Sequence, residues 1–141
     1  MTKVFLDTNV VVYANDTRDR AKQEQAIALV VAAMRDGNAA ISTQVLQEYA
    51  VAAHGRLRQD PDAVLRQLLL LETLDVVQVT PAVIRRALEL QWRYRIDFWD
   101  ANILSAAERA QCTVLLSEDL NPGQLYATVR VENPFAARTT P

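Results

Sequence analysis

The stretch that decides the fold is Val4-Phe5-Leu6-Asp7-Thr8-Asn9, close to the start of the sequence. Its three apolar residues include β-prone types and predict a short buried strand. A carboxylate, a hydroxyl and an amide follow where this strand should leave the sheet, and in open α/β sheets ligands bind outside the carboxyl ends of the strands. Asp7 is therefore the first candidate site residue, although these three polar residues could equally form a turn or cap a helix.

Outward from this strand, short apolar strands alternate with helical segments. Asp60-Pro61 and Thr80-Pro81 are typical helix starts, and Gly37 suits a left-handed helix end. Strands are predicted over 4–6, 39–42, 75–79, 113–117 and, at an edge, 129–131; helices are predicted over 21–35, 43–53, 61–72, 81–94 and 98–111. Strands separated by helices predict an α/β fold, with a parallel sheet of about five strands and helices on both faces.

Length and composition indicate one soluble domain. The 141 residues suffice for a single domain over 1–141, with a loosely ordered tail from about residue 133. No apolar run approaches the roughly 20 residues that span a bilayer, and no signal peptide is recognised, so we expect a cytoplasmic protein with no membrane partner. Cys112 and His54 are the only residues of their types, which argues against a disulfide and a structural zinc site. The net charge of −2 does not decide for or against nucleic acid.

The helix predicted over 98–111 places a carboxylate among apolar side chains. At about 100° per residue, Asp100 shares an arc with Leu104 and Ala107, whereas Asn102 falls on the opposite, solvent side. An unpaired buried carboxylate costs several kcal/mol, so Asp100 should have a partner or a metal, unless it only complements the helix N-terminus. Asp97, three residues earlier, is interpreted as the N-cap.

Other acids occupy comparable positions. Glu48 borders the apolar face of the helix over 43–53, where it could also be an ordinary boundary residue. Glu118 and Asp119 follow an apolar strand as Asp7 does; we expect Asp119 to point inward and leave the role of Glu118 open. Asp7, Glu48, Asp100 and Asp119 can thus converge, and such a cluster of like charges requires cations. Oxygen ligands suit Mg²⁺ or Mn²⁺, which can activate water and stabilise an in-line phosphoryl displacement.

Five segments match a known family in their order and spacing: residues 4–9, 41–48, 98–101, 115–120 and 131–135. They span essentially the whole chain, which resembles the PIN-domain ribonucleases and specifically the VapC-type toxins of type II toxin–antitoxin systems. The resemblance implies a PIN-like three-layer sandwich and Mg²⁺- or Mn²⁺-dependent hydrolysis of RNA phosphodiester bonds. It also implies a homodimer and a cognate antitoxin.

The family's four acids map onto Asp7, Glu48, Asp100 and Asp119, as catalytic and metal-binding residues, with Glu48 bound directly or through water. Four further residues are expected to support the site: Thr8, Asn9, Asp97 and Ser117. The Asp97 position is often serine in such proteins, which favours the cap interpretation. Gln111 departs from the pattern, because many relatives place glycine there. A left-handed conformation at this glutamine would cost about 1 kcal/mol.

Four arginines surround the predicted helix over 81–94: Arg85, Arg86, Arg93 and Arg95. They could bind RNA phosphates, or they could form an ordinary solvated helix face.

Two alternative functions differ from ribonuclease activity. A non-catalytic module resembling a response-regulator receiver would need an aspartate after the third strand and a lysine after a later one. Here Thr80-Pro81 follows that strand, and the only lysines are Lys3 and Lys22. A PIN scaffold that binds a partner without cleaving RNA is the other alternative, and the four intact acids argue against it.

Overall fold

The computed structural model describes residues 2–136, in which pairs of helices separate the first four of six strands. The strands are β1 (Val4–Leu6), β2 (Ala39–Ser42), β3 (Asp75–Val77), β4 (Val114–Leu116), β5 (Leu125–Tyr126) and β6 (Val129–Glu132). The helices are α1 (Thr8–Ala14), α2 (Arg20–Asp36), α3 (Thr43–His54), α4 (Pro61–Leu71), α5 (Pro81–Tyr94) and α6 (Phe98–Arg109). None of these helices is long and apolar enough to cross a membrane.

The strands form one sheet in the order β3-β2-β1-β4-β6-β5, in which all neighbours are parallel except β5 and β6. Helix α1 contacts α2 and α3, α3 contacts α4, and α5 contacts α6. Because parallel crossovers are right-handed, the reversal of direction between β3 and β4 places these two helix groups on opposite faces. The expected parallel α/β sheet between helical layers is confirmed.

The strand order reverses between β1 and β4, and this reversal creates the crevice where α/β proteins bind ligands. Leu6 pairs with Leu116, so Asp7 and Ser117 leave the sheet side by side. The Asp7 amide still donates to the Leu116 carbonyl, and the Ser117 amide donates to the Glu132 carbonyl. The backbone of both residues is therefore fixed by hydrogen bonds to neighbouring strands.

Two features of the sheet differ from the prediction. The strand over 129–132 is not at the edge, because β5 pairs with it in an antiparallel hairpin. β5 has two residues, Leu125 and Tyr126, which is too short for an alternating pattern to be visible in the sequence. The hairpin turns at Ala127, whose φ of 53° is unusual for a residue other than glycine. The Ala127 amide donates to the Tyr94 hydroxyl at 2.7 Å, which ties this turn to α5.

Helix α6 ends earlier than expected, at Arg109, and Gln111 then has a φ of 61°. This is the left-handed conformation that glycine would adopt without strain. Near the other end of the fold, Phe135 packs edge-on against Tyr13 with ring centroids 5.0 Å apart. The rest of the tail expected to be loose, residues 137–141, lies outside the described residues.

Candidate metal centre

Three carboxylates from separate elements meet at the carboxyl edge of the sheet. Asp7 ends β1, Asp100 lies in the first turn of α6, and Asp119 follows β4. One oxygen of each lies within 4.8 Å of the others. Their exposure increases from buried Asp7 through half-buried Asp100 to exposed Asp119. This set of oxygen donors, open on one side, is of the kind that binds Mg²⁺ or Mn²⁺.

Asp7 is the most perturbed acid of the three. Its side chain is 4% exposed, and burial together with the charges of Asp119 and Asp100 raises its pKa from 3.8 to about 7. Two hydrogen bonds oppose this shift: the Ser117 hydroxyl donates to Oδ2 at 2.6 Å, and the Thr8 amide donates to Oδ1 at 2.7 Å. The second bond also caps α1. Asp7 is therefore both a helix cap and a member of the acidic cluster.

Burial likewise raises the pKa of Asp100 from 3.8 to about 6, with added repulsion from Asp119, Asp97 and Glu48. The metal-free cluster thus holds its negative charge at an energetic cost. A cation among the three carboxylates would remove the repulsion and favour their ionised forms. The residues present therefore fit a divalent ion.

A small polar network orients Asp119, which would otherwise be a free surface side chain. The Asn9 amide nitrogen donates to Asp119 Oδ2 at 3.1 Å and to Ser117 Oγ at 3.3 Å. Ser117 Oγ in turn accepts from the Asp119 amide at 3.1 Å while its own proton goes to Asp7. Asn9 and the buried Ser117 hydroxyl thus link two of the three acids.

Glu48 lies at the border of this cluster and outside the three-acid group. Its Oε1 accepts from the Thr8 hydroxyl at 2.9 Å and from the Gln44 amide at 3.2 Å. Its charge nevertheless contributes to the raised pKa of Asp100, so the two carboxylates interact. Asp97 accepts from the Trp99 amide at 3.0 Å and caps α6, as the sequence indicated.

Two buried amides were missed by the sequence analysis. Gln44 is 4% exposed and Asn102 is 2% exposed. The Asn102 amide donates to Gln44 Oε1 at 2.8 Å, and Gln44 Nε2 donates to Glu48 and to the Trp99 carbonyl at 3.2 Å. The expectation that Asn102 faces solvent is wrong, because α6 packs on α5 and on the sheet and is buried nearly all round. The available signal was the position of the Asn102 amide between the apolar residues Ala101 and Ile103.

Glu118 belongs to a different cluster from its neighbour Asp119. It accepts a hydrogen bond from the Tyr13 hydroxyl and forms an ion pair with the Lys22 ammonium at 3.1 Å. Lys22 also lies over the Tyr13 ring, 4.4 Å from the centroid. This cluster ties the end of β4 to α1 and α2, and it occupies both oxygens of Glu118.

The four arginines of the α5 region differ in their surroundings. Arg86 is engaged by Glu108 at 2.8 Å and by Glu89 at 2.9 Å, which favours a structural role for it. Arg93 lies over the Tyr94 ring, and Arg95 ends α5 in a left-handed conformation. Arg85 is exposed.

The family model of the PIN domain matches residues 4–126. A toxin–antitoxin complex from Klebsiella pneumoniae is similar with a TM-score of 0.68 and 19% identity, covering 96% of this chain and 100% of that one. The sarcin–ricin loop cleaving toxin VapC20 of Mycobacterium tuberculosis has a TM-score of 0.63 and 20% identity over 83% of this chain and 92% of that one. VapBC2 from Rickettsia felis, bound to a DNA fragment of its promoter, has a TM-score of 0.61 and 20% identity, covering 94% of this chain and 98% of that one. No curated protein matches the sequence.

Proposed function

The chain belongs to the PIN domain family, and on this premise we propose that it is a metal-dependent endoribonuclease and the toxin of a toxin–antitoxin pair. The observation that carries the proposal is the set of three carboxylates whose oxygens lie within 4.8 Å of one another at the sheet's switch point. The toxin–antitoxin assignment is supported by similar structures that are themselves toxins or toxin–antitoxin complexes.

In this proposal, Asp7, Asp100 and Asp119 hold Mg²⁺ or Mn²⁺, and Glu48 contributes directly or through water. A divalent ion bound there supplies the positive charge that makes a water more acidic and offsets the charge of the scissile phosphodiester. The raised pKa values of Asp7 and Asp100 support this assignment, because such carboxylates gain most from a cation.

The supporting residues hold these acids in place. Ser117 and the Thr8 amide fix both oxygens of Asp7, and Asn9 restrains Asp119. The Thr8 hydroxyl and Gln44 orient Glu48 toward the edge of the cluster. Metal catalysis depends on such placement, since small displacements of catalytic groups reduce rates strongly.

Among the α5 arginines, Arg85, Arg93 and Arg95 are the better candidates for binding RNA phosphates. All three are exposed, and they lie on the helix that precedes the Asp97–Asp100 turn. Arg86 completes the set expected from the sequence, but its guanidinium is already paired with Glu108 and Glu89.

A protein partner is supported by an apolar surface formed by α2 and α4. The exposed large apolar side chains of these two helices are Ile27, Val31, Leu65, Leu69 and Leu70. A cavity of about 270 Å³ lies between the two helices, with Ile27, Val31 and Leu70 in its wall. Exposed apolar surface of this kind marks protein interaction sites. The cognate antitoxin, a homodimer and a cytoplasmic location complete the proposal.

The test is RNA cleavage by wild type and Asp7→Asn with Mg²⁺, with Mn²⁺ and with EDTA. Asparagine keeps the shape of the side chain and removes the charge that binds the cation, so cleavage should be abolished in a protein that remains folded. Asp36→Asn is the matched control, because Asp36 is an exposed acid at the end of α2, remote in sequence from the cluster. Both proteins should also be produced with and without a candidate antitoxin.

Metal-independent cleavage, or an Asp7→Asn protein as active as wild type, would refute this mechanism. Wild type that binds Mn²⁺ yet cleaves no RNA would instead favour a PIN scaffold that acts only through its partner.

A further inference from the structure

A cavity of about 580 Å³ opens beside the acidic cluster, between α3 and the first turn of α6. Its wall includes Gln47, Glu48, Arg56 and Trp99. A smaller cavity of about 290 Å³ is lined by Asp119 and shares Glu48 and Arg56 with the first. The two cavities are therefore adjacent, and their walls together include Trp99 and the candidate metal ligand Asp119.

Trp99 presents an exposed ring on a fixed backbone. Its side chain is 58% exposed although the residue directly precedes Asp100. Its amide donates to Asp97 at 3.0 Å, and its carbonyl accepts from the buried Gln44 at 3.2 Å. The indole meets Phe98 edge-on with centroids 5.2 Å apart. An exposed aromatic ring on rigid backbone is a surface on which an unpaired base can stack.

Arg56 supplies a cation to the walls of both cavities. It is exposed, and among residues 2–136 no carboxylate lies within 4.0 Å of its guanidinium. A guanidinium binds phosphate through two parallel hydrogen bonds. Gln47, which directly precedes Glu48 in α3, is also exposed and carries an amide that can bind a base edge.

We propose that this cavity is a nucleotide subsite, in which an unpaired RNA base stacks on the Trp99 indole while Arg56 binds a backbone phosphate. The inference rests on the proposed ribonuclease function and specifies how its substrate is held. The wall is largely apolar, since Val51 and Ala52 line it together with Trp99, and such a surface suits the faces of a base. The Arg56 guanidinium in the same wall provides the positive charge that an RNA phosphate requires, and this combination favours RNA as the occupant. The subsite would select single-stranded RNA, because a base inside a duplex has both faces stacked on neighbouring bases and cannot stack on the indole.

The two tryptophans of the chain permit a direct test. Trp92→Phe leaves Trp99 as the only fluorophore of its kind, and Trp99→Phe leaves Trp92, which is 70% exposed on α5. Both variants are titrated with six-nucleotide oligouridylate, oligoadenylate and oligocytidylate, with Ca²⁺ replacing Mg²⁺ and RNA integrity checked on a gel. Stacking should quench the emission of Trp99 more strongly than that of Trp92, which lies beside Arg93 on α5 and is not part of the cavity wall.

Affinity measurements with end-labelled RNA complete the experiment. Base–aromatic stacking contributes about 1–3 kcal/mol, so Trp99→Ala should bind roughly 5- to 150-fold more weakly, whereas Trp99→Phe should retain most of the affinity. Arg56→Gln should weaken binding and reduce the slope of log K against log salt by about one. Arg66→Gln, a change of an exposed arginine on α4, is the matched control and should do neither.

RNA that binds without quenching Trp99, or with unchanged affinity for Trp99→Ala, would overturn the subsite while leaving the ribonuclease proposal intact. The emission of Trp99 could instead change with protein concentration in the absence of RNA, while sedimentation shows a dimer. That result would overturn the nucleotide subsite and indicate that a second copy of the chain covers Trp99. Wild type that neither binds nor cleaves any of these RNAs would overturn the proposed function itself.

Discussion

Replacement of Asp7 by asparagine should stabilise the metal-free protein at neutral pH. Asp7 is 4% exposed, and its pKa is raised from 3.8 to about 7, chiefly by burial. Between pH 4 and pH 7 the folded state binds more protons than the unfolded state, because the Asp7 carboxyl is protonated only when folded. The stability that Asp7 contributes is therefore fully present below pH 4 and is lost as the pH rises toward 7. Asparagine has no charge to bury and should be free of this loss.

The magnitude follows from the same values. A pKa that moves from 3.8 to about 7 costs the ionised folded state about 4 kcal/mol, of which about 3 kcal/mol accrues between pH 5 and pH 8. Against this, asparagine cannot accept the Ser117 hydroxyl as a carboxylate does, which costs about 1 kcal/mol at any pH. Asp7→Asn should therefore match wild type within about 1 kcal/mol at pH 5 and exceed it by about 3 kcal/mol at pH 8.

The assay is thermal and urea unfolding in EDTA at pH 5 and pH 8, with Asp36→Asn as a control for the loss of one surface charge. A gain of 3 kcal/mol corresponds to roughly 10 °C in Tm for a domain of this size. Addition of Mn²⁺ should raise the Tm of wild type and leave Asp7→Asn nearly unchanged, since only a folded state with its ligands intact gains from the ion. A difference in Tm between Asp7→Asn and wild type that is the same at both pH values would refute the burial argument.

Four further outcomes are expected. In calorimetry, Asp100→Asn should bind Mn²⁺ much more weakly than wild type; equal affinity would remove this residue from the metal site. The double substitution Arg85→Gln and Arg93→Gln should weaken RNA binding and make the slope of log K against log salt shallower by roughly one to two, while metal binding is unchanged. An unchanged slope would mean that both arginines belong to an ordinary solvated helix face. Ser117→Ala removes a hydrogen bond to a buried carboxylate and should lower stability at pH 8 in EDTA by about 1.5–3 kcal/mol; an unchanged melt would contradict the bond. Gln111→Gly should raise the free energy of unfolding in urea by up to about 1 kcal/mol, because the residue has a positive φ; a loss of stability would mean that the glutamine side chain contributes more than its strain costs.

Much of the fold was predictable because local signals agree with tertiary structure. The strands over 4–6 and 39–42 were predicted at their observed positions, and the helix starts at Pro61 and Pro81 carry both an N-cap and a first-turn proline. The resemblance to the PIN-domain family is likewise confirmed. The missed β5 is different, since two residues carry no period and their strand exists only through pairing with β6.

The candidate site was predictable to the extent that strand ends determine it. Asp7 and Asp119 follow strands that parallel pairing brings to one edge of the sheet, so their approach follows from the order of elements. Asp100 was selected for a reason that the structure only partly supports. The helical wheel assumed one apolar arc, whereas α6 buries seven consecutive residues, 101–107, on several sides. Amphipathic spacing cannot identify the direction of a side chain on a helix that is buried all round.

Glu48 shows where reasoning from sequence necessarily stops. Its orientation depends on Gln44, which is itself held by Asn102 from a helix more than fifty residues away in sequence. Neither amide has a local pattern that indicates a partner, yet each would be costly to bury alone. The pair is therefore stable only because α3 and α6 meet at the same edge of the sheet. The same Gln44 donates to the Trp99 carbonyl, so one buried amide helps to position both an acid beside the candidate metal site and the ring proposed to hold a base.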